Sequence, residues 1–457
     1  MLLLLLFALV LPGQASAATV SFDESPQGPR LRGDYWGGLL FRAAAGEANT
    51  VTIEVGRSET TVTDSTAPLA AGAGCRSLDA HSARCAETRL APAPDYSYST
   101  ASVAAELGDR DDTVRAAFPA PGPGSLGSMA ASDVRLIVDG GAGGDVLDAS
   151  RALSGGPAME LSGGPGRDTL IGGPRHEWLL GGPDADVLRA GGGNDDLSGD
   201  GPWRRGQRGG DLLDGGAGND VVSYAERLAP VVVDLARGRG GRPGVGDRLR
   251  AIERVGGGMG RDRLFGDDRA NALSNVGTLF HWPRLYAPSA PQAGELLVGR
   301  GGDDRLTPSE RGARLDGGRG NDLLGRPSRR FQFACGPGSD TLNQRRQEVL
   351  VPRDCEWIIA ADGWVSRGVV RGGRAHFQVR PGGWIGGCPG GVSLSAPHGG
   401  RYGGASWTAQ PRRRRISFAL NAAGRRAARR HQTAVVRAVC RGWLARVTTA
   451  VPWRIRL

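Results

Sequence analysis

Five nine-residue stretches of this 457-residue chain place one aspartate at a fixed distance behind three glycines. They begin at Gly140, Gly163, Gly215, Gly257 and Gly317, and they carry Asp145, Asp168, Asp220, Asp262 and Asp322. Each reads Gly-Gly-x-Gly-x-Asp-x-U-x, with U a large apolar residue. Weaker copies keep the frame and put Glu177, Asp186, Asp195, Asp211, Asp304 and Asp340 at the acidic place. A lone echo over 107–114 does the same with Asp112. A carboxylate is a hard oxygen donor, and glycine lets the backbone curl so that successive carbonyl oxygens converge on one point. Calcium is a hard cation that gathers about six to eight such oxygens. The pattern therefore predicts Ca2+ sites with Asp145, Asp168, Asp186, Asp195, Asp211, Asp220, Asp262, Asp304, Asp322 and Asp340 as ligands. A metal-free glycine-rich solenoid is the alternative. It leaves close carboxylates such as Asp168, Asp186 and Asp195 repelling one another without a cation.

The elements that would position these residues follow from the same frame. Two places after each acid stands an apolar residue, which would face inward on a short strand. Leu147, Leu170, Leu179, Leu188, Leu197, Leu213, Val222, Leu264, Leu306, Leu324 and Leu342 would stack as the core. Self-similarity at a short fixed period, with 75 glycines patterned rather than scattered, points to a repeat architecture. The residues 200–205 and 275–298 break the frame and are expected to interrupt the solenoid.

These stretches resemble the hemolysin-type, or repeats-in-toxin, calcium-binding β-roll. The resemblance implies an all-β fold, a parallel β-roll or β-helix solenoid. In it six residues form a metal-binding turn, three form a strand, and calcium lies between adjacent turns. Segments such as Asp220-Val-Val-Ser-Tyr224, Val231-Val-Val-Asp234, Gly246-Asp247, Ile252-Glu253 and Gly266-Asp-Asp-Arg-Ala-Asn271 resemble connectors in secreted β-roll proteins, the serralysin C-terminal region among them. Arg175 and Asp184 stand at glycine places, and Glu177 replaces an aspartate. About four to eight ions are therefore expected rather than one per repeat.

The flanks divide the chain. Residues 1–17 open with a leucine-rich apolar run and end in Ala15-Ser-Ala17, the pattern of a secretory signal peptide. No other apolar run is long enough to span a bilayer, so no transmembrane segment is expected in the mature protein. Residues 18–135 show alternating patches at 51–55 and 60–63 and read as a β-rich cap or start of the solenoid; 136–343 hold the roll. Residues 344–457 lack the repeat and read as a small basic β-sandwich-like domain, with one helix over 421–431. Six cysteines in an exported chain are expected to be bridged. Their pairing is open; sequential bridges (Cys75–Cys85, Cys335–Cys355, Cys388–Cys440) keep each one inside a single segment.

All basic residues are arginine, which excludes a lysine Schiff base and a Walker-type phosphate loop. Residues 356–457 hold 18 arginines against Glu356 and Asp362, a net of +16; with +10 for the whole chain, the preceding residues carry −6. Runs such as 412–415 suit acidic envelope polymers, or equally a solvated basic face, and no specific nucleic-acid motif occurs. His176-Glu177 lacks the second histidine of a zinc-protease motif, no Gly-x-Ser-x-Gly elbow occurs, and the six histidines are dispersed. The expectation is a secreted, non-enzymatic, calcium-binding structural protein. The alternative is an adhesion or envelope-binding protein acting through its basic C-terminal domain.

Overall fold

A computed structural model describes residues 17–23, 38–56, 59–86, 101–117, 134–152, 158–200, 209–225, 227–242, 245–274, 294–308, 312–325, 332–343, 354–355, 357–360, 363–366, 369–381, 390–396, 399–407, 414–430, 432–441 and 448–456. The chain forms two compact units, Met1–Asp195 and Asp196–Leu457. Residues 1–16 of the expected signal peptide lie outside the described residues.

In the first unit the chain winds between two parallel sheets. One runs through Gly38–Arg42, Ala101–Glu106, Val134–Asp139, Ala158–Ser162 and Glu177–Leu180. The other runs through Thr50–Val55, Thr113–Ala117, Val146–Arg151, Thr169–Ile171 and Val187–Gly193. Consecutive repeats alternate between the sheets, because each glycine-rich turn reverses the chain before the next three-residue strand. In the three-residue strand the middle side chain points in: Thr169–Ile171 buries only Leu170. Strict register stacks Leu147 on Leu170 and Leu170 on Leu188, each fully buried. Each such leucine contributes about 1.5–3 kcal/mol of hydrophobic stabilisation. The N-terminal end is closed by antiparallel strands, Thr50–Val55, Glu59–Asp64, Ser82–Ala86 and Cys75–Ser77, with Cys75 bridged to Cys85.

The second unit repeats the plan. Arg254–Gly256, Ala272–Ser274, Arg305–Thr307, Leu323–Gly325 and Thr341–Asn343 form one parallel stack. Val232–Asp234, Arg263–Phe265, Glu295–Gly301, Ala313–Arg319 and Gln332–Ala334 form the other. The last coil is tied by the Cys335–Cys355 disulfide. Beyond it Trp357–Ala360 still adds in parallel to Thr341–Asn343, and the pairing then turns antiparallel. Arg374–Pro381 pairs with Val369–Arg371, Gly363–Ser366 and Arg414–Ala419, and Gly390–Ala396 lies between Gly399–Trp407 and Thr433–Arg441. The helix expected over 421–431 runs Ala422–Arg429, capped by the Asn421 side chain on the Gly424 N–H. No helix of the described residues is long and apolar enough to cross a membrane.

The parallel β-roll expected from the repeats is thus the fold, and all eleven anticipated core residues from Leu147 to Leu342 are fully buried. Parallel coils also begin before residue 136, since Ala101–Glu106 pairs in parallel with Val134–Asp139. The interruption expected over 275–298 is shorter than that, because Glu295–Gly301 is a strand and Leu297 joins the column Leu264–Leu297–Leu315. Both bridges that fall on described cysteines have the sequential pairing; Cys388, of the third, lies outside the described residues.

Candidate metal-binding ladders

The acidic residue of each repeat ends its turn and is buried just before the strand begins. In the first unit, turns on the same side of the roll stack so that each acid meets the next. The Asn49 N–H donates to Asp112 Oδ1 (2.6 Å), that of Asp112 to Asp145 Oδ1 (2.8 Å), that of Asp145 to Asp168 Oδ1 (2.8 Å), and that of Asp168 to Asp186 Oδ1 (2.9 Å). One carboxylate oxygen is thereby spent on the rung before it. The other, Oδ2, is buried without a hydrogen-bond partner in Asp112, Asp145 and Asp168. Such an oxygen is costly unless something positive meets it.

Backbone carbonyls line the same turns. In Asp168's turn, Gly164 (φ +100°) and Gly166 (φ +148°) have left-handed backbones, and a Cβ on either would strike the carbonyl oxygen of Gly141 or Gly143 in the turn before. The turns are therefore packed glycine against carbonyl, with no room for a side chain at Gly164 or Gly166. Asp145 Oδ2 folds back over Gly140, beside the Gly163 carbonyl. Carboxylate and carbonyl oxygens without room for a side chain are the donor set that a calcium ion uses. Judged by these orphaned oxygens, the residues fit the ion.

The electrostatics agree. Burial, reinforced by neighbouring carboxylates, pushes the carboxyls up: Asp145 to about 6, Asp112 and Asp168 to about 7, Asp186 to about 8. Asp64, at the closed N-terminal end, is the opposite case. It too is buried, but hydrogen bonds from Asn49, Thr66 and Thr50 outweigh that and hold it below the usual carboxylate range.

Asp195 does not stack with Asp168 and Asp186 as the sequence reading supposed. It lies on the other side of the roll, where its Oδ1 accepts the Glu177 N–H (2.8 Å). Because alternate repeats serve alternate sheets, contacting acids in uninterrupted repeats are 18 residues apart rather than nine, and inserted residues lengthen the separation to 23 between Asp145 and Asp168.

In the second unit, Asn271, Asp304, Asp322 and Asp340 form one ladder: each N–H donates at 2.8 Å to Oδ1 of the next acid. Oδ2 of Asp304 and of Asp322 is again buried without a hydrogen-bond partner. Burial pushes Asp304 up to about 7 and raises Asp322. Asp211 and Asp220 occupy rungs whose lower partners are Asp247 (3.1 Å) and Glu253 (2.9 Å). Asp200, Asp211 and Asp247 bring carboxylate oxygens within 4.8 Å of one another, and the buried Tyr224 hydroxyl donates to Asp247 Oδ2 (2.8 Å). Asp262 differs: Oδ1 accepts from Val231 N and Oδ2 from Gly258 N, so the backbone already uses both oxygens.

Rung positions outside the repeat pattern are held by Asp112, Asp247, Glu253 and Asn271. The first was visible only as an echo and the others only as connectors. The signal that identifies Asp247 and Glu253 is an acid two places before a buried apolar residue, Leu249 and Val255.

A family model for the RTX calcium-binding nonapeptide repeat matches this chain in four copies, over residues 160–174, 171–201 and 205–225. Comparison with curated proteins finds no match.

Proposed function

On the premise that this chain carries RTX calcium-binding nonapeptide repeats, we propose that it is an exported, non-enzymatic structural protein whose roll is completed by Ca2+ held between stacked turns. The buried second oxygens of Asp145, Asp168, Asp304 and Asp322 carry the reading, because each needs a positive partner that hydrogen bonding does not supply. Asp186, Asp195, Asp211, Asp220 and Asp340 join them as ligands on rung geometry. Asp262, with both oxygens occupied, contributes least. A bound ion neutralises stacked carboxylates that the fold otherwise forces together, so binding and folding are coupled. The apolar run of residues 1–17 supports export, and export supplies the calcium.

Calcium titration of the EDTA-treated chain, read by far-ultraviolet circular dichroism and calorimetry, tests this. Cooperative gain of β-structure with several ions bound is expected. A fold already complete and indifferent to calcium would refute it.

One observation favours a second reading, adhesion through the basic C-terminal domain. Arg371, Arg374, Arg401, Arg415, Arg425, Arg426, Arg429 and Arg430 are exposed there, and the sequence from 356 onward offers only two acids to offset them. Full-length protein with the four helix-region arginines (425, 426, 429 and 430) changed to alanine should lose salt-sensitive binding to an acidic envelope polymer. Equal binding by the parent and the variant would dismiss that reading.

A further inference from the structure

The ladder of the second unit changes character at its first step. Asn271 stands where the following turns have Asp304, Asp322 and Asp340. Its Oδ1 accepts the Asp267 N–H (2.7 Å), which leaves Nδ2, a donor, buried without a hydrogen-bond partner. An amide N–H2 cannot ligate a cation, so this rung has lost the oxygen that its neighbours keep.

The next turn holds a second substitution. Arg300 occupies the second glycine place of the repeat that begins at Gly299, and its backbone takes the left-handed conformation (φ +79°) that glycine normally supplies there. Its guanidinium reaches back over the step. Nη1 donates to the Gly266 carbonyl (2.7 Å), and Nη1 and Nη2 donate to Oδ1 and Oδ2 of Asp234 (2.7 and 2.8 Å). The Phe265 ring lies 5.5 Å from the guanidinium carbon. A carboxylate and a turn carbonyl thus converge on one positive group, the same two donor types that calcium would gather. Hydrogen bonding to Arg300 holds the Asp234 carboxyl below its usual range, unlike the rung aspartate Asp304, which burial raises.

We infer that Arg300 is a built-in cation that takes calcium's place between the turns 266–271 and 299–304. The strands it ties, Val232–Asp234, Arg263–Phe265 and Glu295–Gly301, therefore stay paired when calcium is removed. The inference rests on the calcium reading of the other turns. It goes beyond that reading in dividing the ladder into steps that need the ion and one that does not. An exposed ion pair has no reason to require a strained backbone at a glycine place, or to reach a turn carbonyl; this one does both.

The test uses the full chain in EDTA, followed by hydrogen exchange of those three strands. Protection is expected in the parent, and its loss in Arg300→Gly. Asp234→Asn, which keeps the shape and removes the charge, should lose it as well. Calorimetric counting of calcium supplies the second arm: Arg300→Gly with Asn271→Asp should bind one ion more than the parent. Unchanged exchange in both single variants, or no added ion in the double variant, would overturn the inference. A parent chain that binds no calcium at all refutes the aspartate turns instead. That result is separate from the exchange arm, which alone decides whether Arg300 holds these strands.

Discussion

The turns around Asp145 and Asp168 and the step spanned by Arg300 use one backbone plan and neutralise charge in opposite ways. In the first, each aspartate spends one oxygen on a neighbouring N–H and leaves the other buried and unmet. In the second, the acid at the rung has become Asn271, and a guanidinium closes on Asp234 and a turn carbonyl. The contrast teaches that a glycine-rich coil does not itself require metal. On the proposed calcium reading, what calls for the ion is a column of buried carboxylates whose desolvation their hydrogen bonds do not offset.

The comparison can be broken most severely at the aspartate rungs. Asp168→Ala with Asp186→Ala should lower calcium affinity by more than about tenfold, with a coupling energy of about 0.5–3 kcal/mol because the two acids share a step. Asp168→Ala with Asp195→Ala should be additive, since those acids serve opposite sides of the roll. Titration calorimetry of the three single and two double variants checks both, and equal coupling in the two pairs would contradict the alternation of the ladders.

Next in size is the glycine packing. Gly166→Ala forces a Cβ onto the Gly143 carbonyl and should cost about 3 kcal/mol in urea unfolding of the calcium-loaded protein. Gly372→Ala, left-handed (φ +56°) but with open space around it, should cost only about 1 kcal/mol. Similar losses at both sites would show that conformation, and not the close approach of coils, sets the requirement.

A smaller effect should appear with pH. Asp168 rises from its ordinary 3.8 to about 7 in the folded chain, so between those values the folded state keeps a proton that the unfolded state has lost. Calcium-free stability therefore falls as pH rises through that window. EDTA-treated protein should hold more β-structure at about pH 5 than at about pH 7.5, and calcium should abolish the difference. The opposite slope without calcium would mean that these carboxyls are already stabilised as anions.

The smallest change is expected at Arg319 and Asp268, an ion pair with both side chains mostly exposed. Arg319→Ala should alter stability by less than about 0.5 kcal/mol, measured by the same urea titration. A loss as large as that of Gly166→Ala would mean that exposed arginines, too, hold the coils together.

Much of this was legible in the repeats. The apolar place two residues after each acid identified eleven fully buried residues of the core, because the middle side chain of a three-residue strand points inward. The ten named aspartates all reach buried rung positions for the same reason. Asp247 and Glu253 were missed as rungs because their turns lack the glycine pattern and keep only the acid and the apolar residue behind it. The strand Glu295–Gly301 was missed because its leading residues follow a stretch of sequence that lacks the repeat pattern; only parallel pairing with Arg263–Phe265 and Ala313–Arg319 defines it.

The sequence by itself determined the β-roll, its nine-residue unit, its core and the hard oxygen chemistry of its turns. Those depend on spacing along the chain and on what glycine and aspartate can do locally. Only the tertiary structure decided which acids meet, that consecutive repeats in frame bring together acids 18 residues apart, and that an arginine closes one step from Asp234. These depend on how coils stack, and stacking joins residues as far apart as Asp234 and Arg300 through contacts that no local pattern encodes.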